Sequence, residues 1–206
     1  MNTPPSIALP QPQAALQTAR MLLRAHAPSD APEVQRLAGE RDVASTTRLI
    51  PHPYPDGLAE QWIASLPAMY ERGEAVHFAL ALKEGGDLIG SIRLTLSPVD
   101  QHAEMGYWIG LPFWNNGYCT EAAAAVLTYA FETLALERVY AHYLARNPAS
   151  GRVMAKLGMT QEGVLRHHRC KWGQFEDLIV CGILRGEYLA LQKARTRKRT
   201  KKAAPA

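Results

Sequence analysis

Between Val76 and Gly110 three apolar runs follow one another with only short polar connections: VHFALALK, LIGSIRLTL and AEMGYWIG. Glu84-Gly85-Gly86-Asp87 separates the first two at hairpin length, so the runs predict an antiparallel meander. The pattern then changes. A polar loop around Asn116 and Gly117 opens an Ala-rich segment that predicts a helix to about Leu134, and RVYAHYLA from Arg138 reads as a buried strand. A strand-helix-strand crossover between antiparallel segments requires a mixed sheet, so the fold class is α/β (α+β), mostly antiparallel with flanking helices.

The flanks supply the remaining elements. Ala19 to His26 has the content and brevity of a strand, and Ser29 or Asp30 can cap a helix running to about Ala38. Leu58, Trp62, Leu66 and Met69 lie near helical spacing, although Pro67 interrupts that segment. A short helix is predicted from Pro148 to Leu157, with Gly158 as its stop. MTQEGVLRHH and FEDLIVCGILR then form two strands around Trp172-Gly173-Gln174.

Length and composition fit one domain: 206 residues, 47% hydrophobic and 20% charged, which excludes disordered, collagen-like and coiled-coil classes. The longest apolar stretch, Ala122 to Leu127, falls far short of the ~20 residues that span a bilayer, so no membrane contact is expected. Residues 1–18 carry four prolines and no charge, and are expected to be a mostly disordered leader rather than a secretory signal. The domain is expected over 19–190, and 191–206 form a basic tail. Seven of the 23 basic residues lie between Lys193 and Lys202, leaving 16 against 19 acidic residues elsewhere. The tail is a solvated end or a weak nucleic-acid contact. Cys119, Cys170 and Cys181 form no metal-ligand spacing, and their odd number fits a reducing cytoplasm.

The chemistry concentrates in the stretch from Gly106 to Leu127. Its loop, Trp114-Asn115-Asn116-Gly117-Tyr118-Cys119-Thr120, meets the start of a helix, where unpaired N–H groups and the positive dipole end can hold phosphate oxygens. It is neither a Walker A loop nor GxGxxG. His167, His168 and Cys170 lack a fourth ligand nearby, and no metal is expected.

Tyr107-Trp108-Ile109-Gly110, Trp114 to Ala122, Asn147-Pro148-Ala149-Ser150 and Lys156-Leu157-Gly158-Met159 together resemble the GNAT acyl-CoA-dependent N-acetyltransferases, nearest the ribosomal-protein branch. The resemblance covers about Ala19 to Tyr188. It implies a V-shaped split between two central strands, acetyl-CoA in that cleft and pyrophosphate at the Gly117 helix. The backbone of Tyr107, Trp108 and Ile109 would pair with the pantetheine arm, Asn147 would belong to the cofactor-binding residues, and Ser150 would lie near the sulfur. The sequence departs from the family in three places. Trp114 and Cys119 replace the usual first and last loop residues. Met154 stands where many members carry an acidic tyrosine, and Arg169 where some relatives carry a glutamate.

Glu104, two residues before Gly106 on the strand bordering the cleft, is therefore the leading candidate for the base and for contact with the acceptor amine; His102 and His52 are its rivals. Tyr54, in the polar loop IPHPYP, is expected to face substrate, whereas Cys119 marks a need for a small residue rather than a nucleophile. The resulting expectation is a cytoplasmic, monomeric or homodimeric N-acetyltransferase acting on a protein N-terminal α-amine. Its rivals are a small-amine acetyltransferase and a low-turnover acyl-CoA-binding protein.

Overall fold

A computed structural model describes residues 7–203, with side chains as far as residue 197. One eight-stranded sheet organises the chain. Its strands are β1 (Leu16–Gln17), β2 (Met21–Arg24), β3 (Ala75–Leu82), β4 (Leu88–Ser97), β5 (His102–Ile109), β6 (Arg138–Leu144), β7 (Thr160–Lys171) and β8 (Gln174–Leu184). Their spatial order is β1-β2-β3-β4-β5-β6-β8-β7, and only β5 and β6 run parallel. Helices α1 (Ala31–Ala38), α2 (Arg41–Thr46) and α3 (Leu58–Glu71) precede the meander. The crossover helix α4 (Tyr118–Thr128), α5 (Pro148–Leu157) and α6 (Arg185–Ala203) come after it.

The predicted mixed sheet is therefore present, and so is its split. β5 pairs with β4 along its whole length, out to Ile109 opposite Gly90, and β6 pairs with β8 out to Leu144 opposite Leu178. Between β5 and β6 the register stops at Met105 opposite Ala141. From Gly106 and His142 onward the two strands diverge, which opens the V.

Two apolar clusters hold the layers. The larger places Ala122, Ala123, Val126 and Leu127 of α4 with sheet residues such as Phe78, Leu94, Met105 and Val139. Small alanines let the helix backbone approach the sheet. The smaller cluster joins Val34, Ala38, Ala59 and Ile63 to Ala79 and Leu88 on the other side. Pro67 does not break α3. The proline ring lies on the exposed side of the helix, away from the core. The helix opened by Gly117 extends past Thr128 as a π-helical turn over Tyr129–Thr133, close to the predicted end at Leu134.

Residues 1–6 of the expected leader lie outside the described residues, but 7–18 depart from the expectation of disorder. Ile7, Leu9, Ala14 and Leu16 pack on the core, Tyr70 Oη donates to Pro10 O, and Gln13 Nε2 donates to His77 O at 2.7 Å. β2 stops pairing with β3 at Ala79, so this segment covers the part of β3 that β2 leaves open. Apolar residues between the prolines supply the packing surface. The basic tail continues α6 to Ala203, and Arg195 Nη2 donates to Lys156 O at 3.4 Å.

Candidate active site

A cavity of about 720 Å³ occupies the split. One wall of it is largely backbone. Gly110 N donates to Ile89 O, which fixes the antiparallel alternation so that the polar groups of Trp108 face β4 while those of Tyr107 and Ile109 face the open edge. The expectation that all three residues offer their backbone to a ligand is thus corrected: Trp108 contributes its side-chain surface instead. Trp114 Nε1 donates to Ile109 O at 2.7 Å, leaving the Ile109 N–H and both groups of Tyr107 at the divergent edge.

The loop beyond is shaped by left-handed backbone at Asn115 (φ 61°) and Gly117 (φ 79°). Gly117 is the N-cap of α4, and Glu121 N makes the first intrahelical bond to Gly117 O, so the amides of Tyr118, Cys119 and Thr120 lack intrahelical acceptors. Arg20 clamps the loop. Its Nη1 donates to Asn116 O at 2.9 Å, its Nε to Glu121 Oε2 at 2.7 Å, and its guanidinium lies 4.2 Å over the Tyr118 ring. Asn116 Nδ2 donates to Trp114 O, so this residue supports the loop and does not line the cavity. Burial pushes the Cys119 thiol up to about 12, against the helix-end effect, consistent with a packing role.

Across the split, Asn147 caps α5 by accepting from Ser150 N at 3.3 Å. Ser150 Oγ lies 2.9 Å from Tyr107 Oη, a side-chain partner that sequence reasoning missed. Burial raises the Tyr107 phenol, which therefore stays protonated.

The other wall follows from register. His77 pairs with Arg93, Arg93 with Gly106, and Glu104 with Tyr140. Period-two alternation then puts His77, Ser91, Arg93, Glu104 and His142 on one sheet face, and all five line the cavity. Arg48, from the loop after α2, donates from Nη1 to Glu104 Oε1 at 2.8 Å and sits 3.2 Å from His142 Nδ1. Arg93 Nη2 and His142 Nδ1 stand farther from Oε1, at 3.7 and 3.6 Å. Burial acts to raise the Glu104 pKa, but His142 and the two guanidinium charges outweigh it and hold the carboxyl below its usual range.

Glu104, Ser150, Tyr54 and the donor-loop residues other than Asn116 thus converge on one cavity. Tyr54 also packs on the second apolar cluster, so its exposure to substrate is partial. His52 and His102 do not line the cavity. The former faces Gly39 O and Trp172, and the latter packs edge-on to Tyr140 beside Asp100 at the closed end of the strands. Arg48, Arg93 and His142 are the residues the sequence did not reveal; alternation after Tyr140 was the only signal for His142. Among the described residues no cluster of three or more His, Cys, Asp or Glu could hold a metal ion.

A split sheet with a free strand edge and orphan amides at a helix start suits an extended thioester with a diphosphate. Residues 20–160 match the family described as an acetyltransferase (GNAT) domain. The chain belongs to the GNAT family. The uncharacterized N-acetyltransferase YoaA of Bacillus subtilis is 29% identical over 180 residues, 82% of this chain and 96% of its own. The ribosomal protein uS5-alanine N-acetyltransferase of Escherichia coli is 27% identical over 134 residues, 64% of this chain and 69% of its own. Two solved structures share the fold: the ribosomal-protein acetyltransferase RimL in complex with coenzyme A (16% identity, TM-score 0.77, 83% and 98% covered), and a spermidine N-acetyltransferase SpeG chimera from Vibrio cholerae (21%, 0.72, 83% and 99%). This GNAT protein is an acyl-CoA-dependent N-acetyltransferase. Among its described residues no helix is long and apolar enough to cross a membrane.

Proposed function

We propose that the acceptor is the α-amine of a protein N-terminus, as in the ribosomal-protein branch. The observation that carries this reading is the state of Glu104. It is the only carboxylate lining the cavity among the described residues, and Arg48 with its neighbours keeps it weakly basic. A site with so weak a base favours an amine that gives up its proton easily. An α-amine, at ~7.7–8.0, is partly neutral near pH 7.5, whereas a lysine at ~10.4 is not.

In this reading the first-turn amides of α4 hold the diphosphate and the open edge of Tyr107 and Ile109 holds the pantetheine arm. Glu104, directly or through water, takes the N–H proton as the amine nitrogen bonds to the acetyl carbon, when that proton becomes acidic. The C–S bond then breaks, and the Ser150 hydroxyl, backed by Tyr107, steadies the sulfur while a proton reaches it. An N–H of the β5 edge polarises the carbonyl. A cell extract incubated with the enzyme and isotopically labelled acetyl-CoA, then analysed by mass spectrometry, should carry label on protein N-termini. Label confined to lysines or small amines would overturn the assignment.

A further inference from the structure

The acceptor wall bears more positive charge than a site for a cationic amine needs. Besides Glu104, the charged side chains lining the cavity among the described residues are Arg48 and Arg93 on this wall, and Arg152 and Lys156 on α5 across the split. Arg48 Nη1 lies 2.8 Å from Glu104 Oε1 and Arg93 Nη2 lies 3.7 Å from the same oxygen, so one carboxylate serves two guanidinium groups and leaves this wall with net positive charge.

Arg93 is placed for recognition. Its guanidinium lies flat against Gly106, where an added Cβ would meet Nε at 3.2 Å and Nη2 at 3.4 Å; the missing side chain is what admits it. Nη1 is occupied by Thr95 Oγ1. Nε and Nη2 form the side-on fork that takes a carboxylate or carbonyl oxygen; among the described residues neither has a hydrogen-bond partner, and Nη2 has only the 3.7 Å ion-pair contact with Glu104 Oε1. Beside them Ser91 and the edge of Trp62 continue the wall, and His77, buried, keeps an Nδ1 without a partner. Burial, followed by the Arg93 and His26 charges, holds His77 down at about 3, so it is neutral near pH 7 and offers a polar contact without charge.

We propose that Arg93 is a specificity residue that binds an oxygen carried next to the acceptor amine, the carbonyl of an aminoacyl group or the carboxylate of an amino acid, and that it rejects polyamines. This rests on the reading of the cleft as an amine-acetylating site and narrows it. An aminoacyl acceptor carries its oxygen three bonds from the nitrogen, so Glu104 and Arg93 can address one small group together. A polyamine has no such oxygen and brings a second ammonium toward two guanidinium groups, where like charges repel.

The test compares kcat/KM for four acceptors: a short peptide with a free N-terminus, a free amino acid, an alkylamine of matched size without the carbonyl, and spermidine. The wild type should favour the peptide or the amino acid over the alkylamine by 10-fold or more, and which of the two leads identifies carbonyl or carboxylate as the oxygen read. Arg93→Gln should reduce that preference about 10–100-fold, the worth of a charge-assisted contact, and raise the relative rate with spermidine. Gly106→Ala keeps Arg93 but pushes its guanidinium aside, and should move the same ratio in the same direction by less; it serves if Arg93→Gln does not fold. Equal rates for alkylamine and aminoacyl acceptors, or preferred use of spermidine, would overturn the Arg93 assignment while leaving acetylation intact. No turnover with any of the four, despite acetyl-CoA binding by calorimetry, would overturn the underlying amine-acetylation reading as well.

Discussion

The two walls of the cleft are built by different means. On the donor side, strand edge, loop and helix start come from one stretch of about twenty residues, and the ligand-facing groups are mostly backbone N–H and C=O. On the acceptor side the groups are side chains brought from afar: Arg48 lies 56 residues from Glu104 and 94 from His142. A backbone site tolerates changes of side chain, provided the dihedral angles survive. A side-chain site can alter its selectivity through a single residue without disturbing the fold. One half is accordingly suited to a constant co-substrate and the other to a variable acceptor.

The largest effect should come from the acceptor side. Glu104→Gln keeps size but cannot take a proton, and turnover should fall about 10²–10⁴-fold, with partial recovery as pH rises. Because the folded Glu104 pKa is lowered, the carboxylate is already ionised well below neutrality. The wild-type kcat/KM should therefore climb through the amine pKa of ~7.7–8.0 with no inflection from Glu104 between pH 6 and 9. Near-wild-type turnover of Glu104→Gln across that range would mean the acceptor wall does not supply the base.

On the donor side, Gly117→Asp combines a strained left-handed residue with a negative charge at the phosphate cradle, and acetyl-CoA affinity should drop by roughly 100-fold in calorimetry. Unchanged affinity in a folded protein would break the contrast, since the wall would then not work through that loop. Ser150→Ala should cost about 10-fold in turnover. That defect should persist at high pH and shrink with an acyl donor whose leaving group is better, a profile opposite to that of Glu104→Gln. The smallest effect is expected from removing residues 193–206. Tyr188 and Leu191, which pack on the core, are retained, so melting temperature and turnover should stay close to wild type. A large loss of melting temperature would show that the tail is part of the fold, and salt-sensitive RNA binding lost on truncation would give it a separate role.

Legibility in the sequence followed the same division. Alternation and turn residues located the meander, crossover and closing hairpin, because each depends on neighbours along the chain. Asn115, Gly117 and the Ala-rich start of α4 announced the donor loop for the same reason. The acceptor wall depends on strand register and on where the α2 loop comes to rest, and neither leaves a local mark. His102 shows the cost of judging by proximity: two residues from Glu104 and on the same strand, it lies at the closed end, whereas His142 on the next strand reaches the carboxylate. In residues 7–18 the proline content masks the apolar residues between, which count only once a sheet edge is there to receive them.

The seam between β5 and β6 holds only four residue pairs. Beyond Met105 the sheet is an unfinished weave, and the angle between its halves is set by side-chain packing and by whatever lies in the gap. An extended ligand bonded along the Tyr107–Ile109 edge would act as a missing thread, so binding would stiffen the protein across its middle. Amide exchange at Tyr107 and Ile109 should register this directly, fast in the free enzyme and slowed when the co-substrate is in place, with the amide of Trp108, already facing β4, as the internal standard.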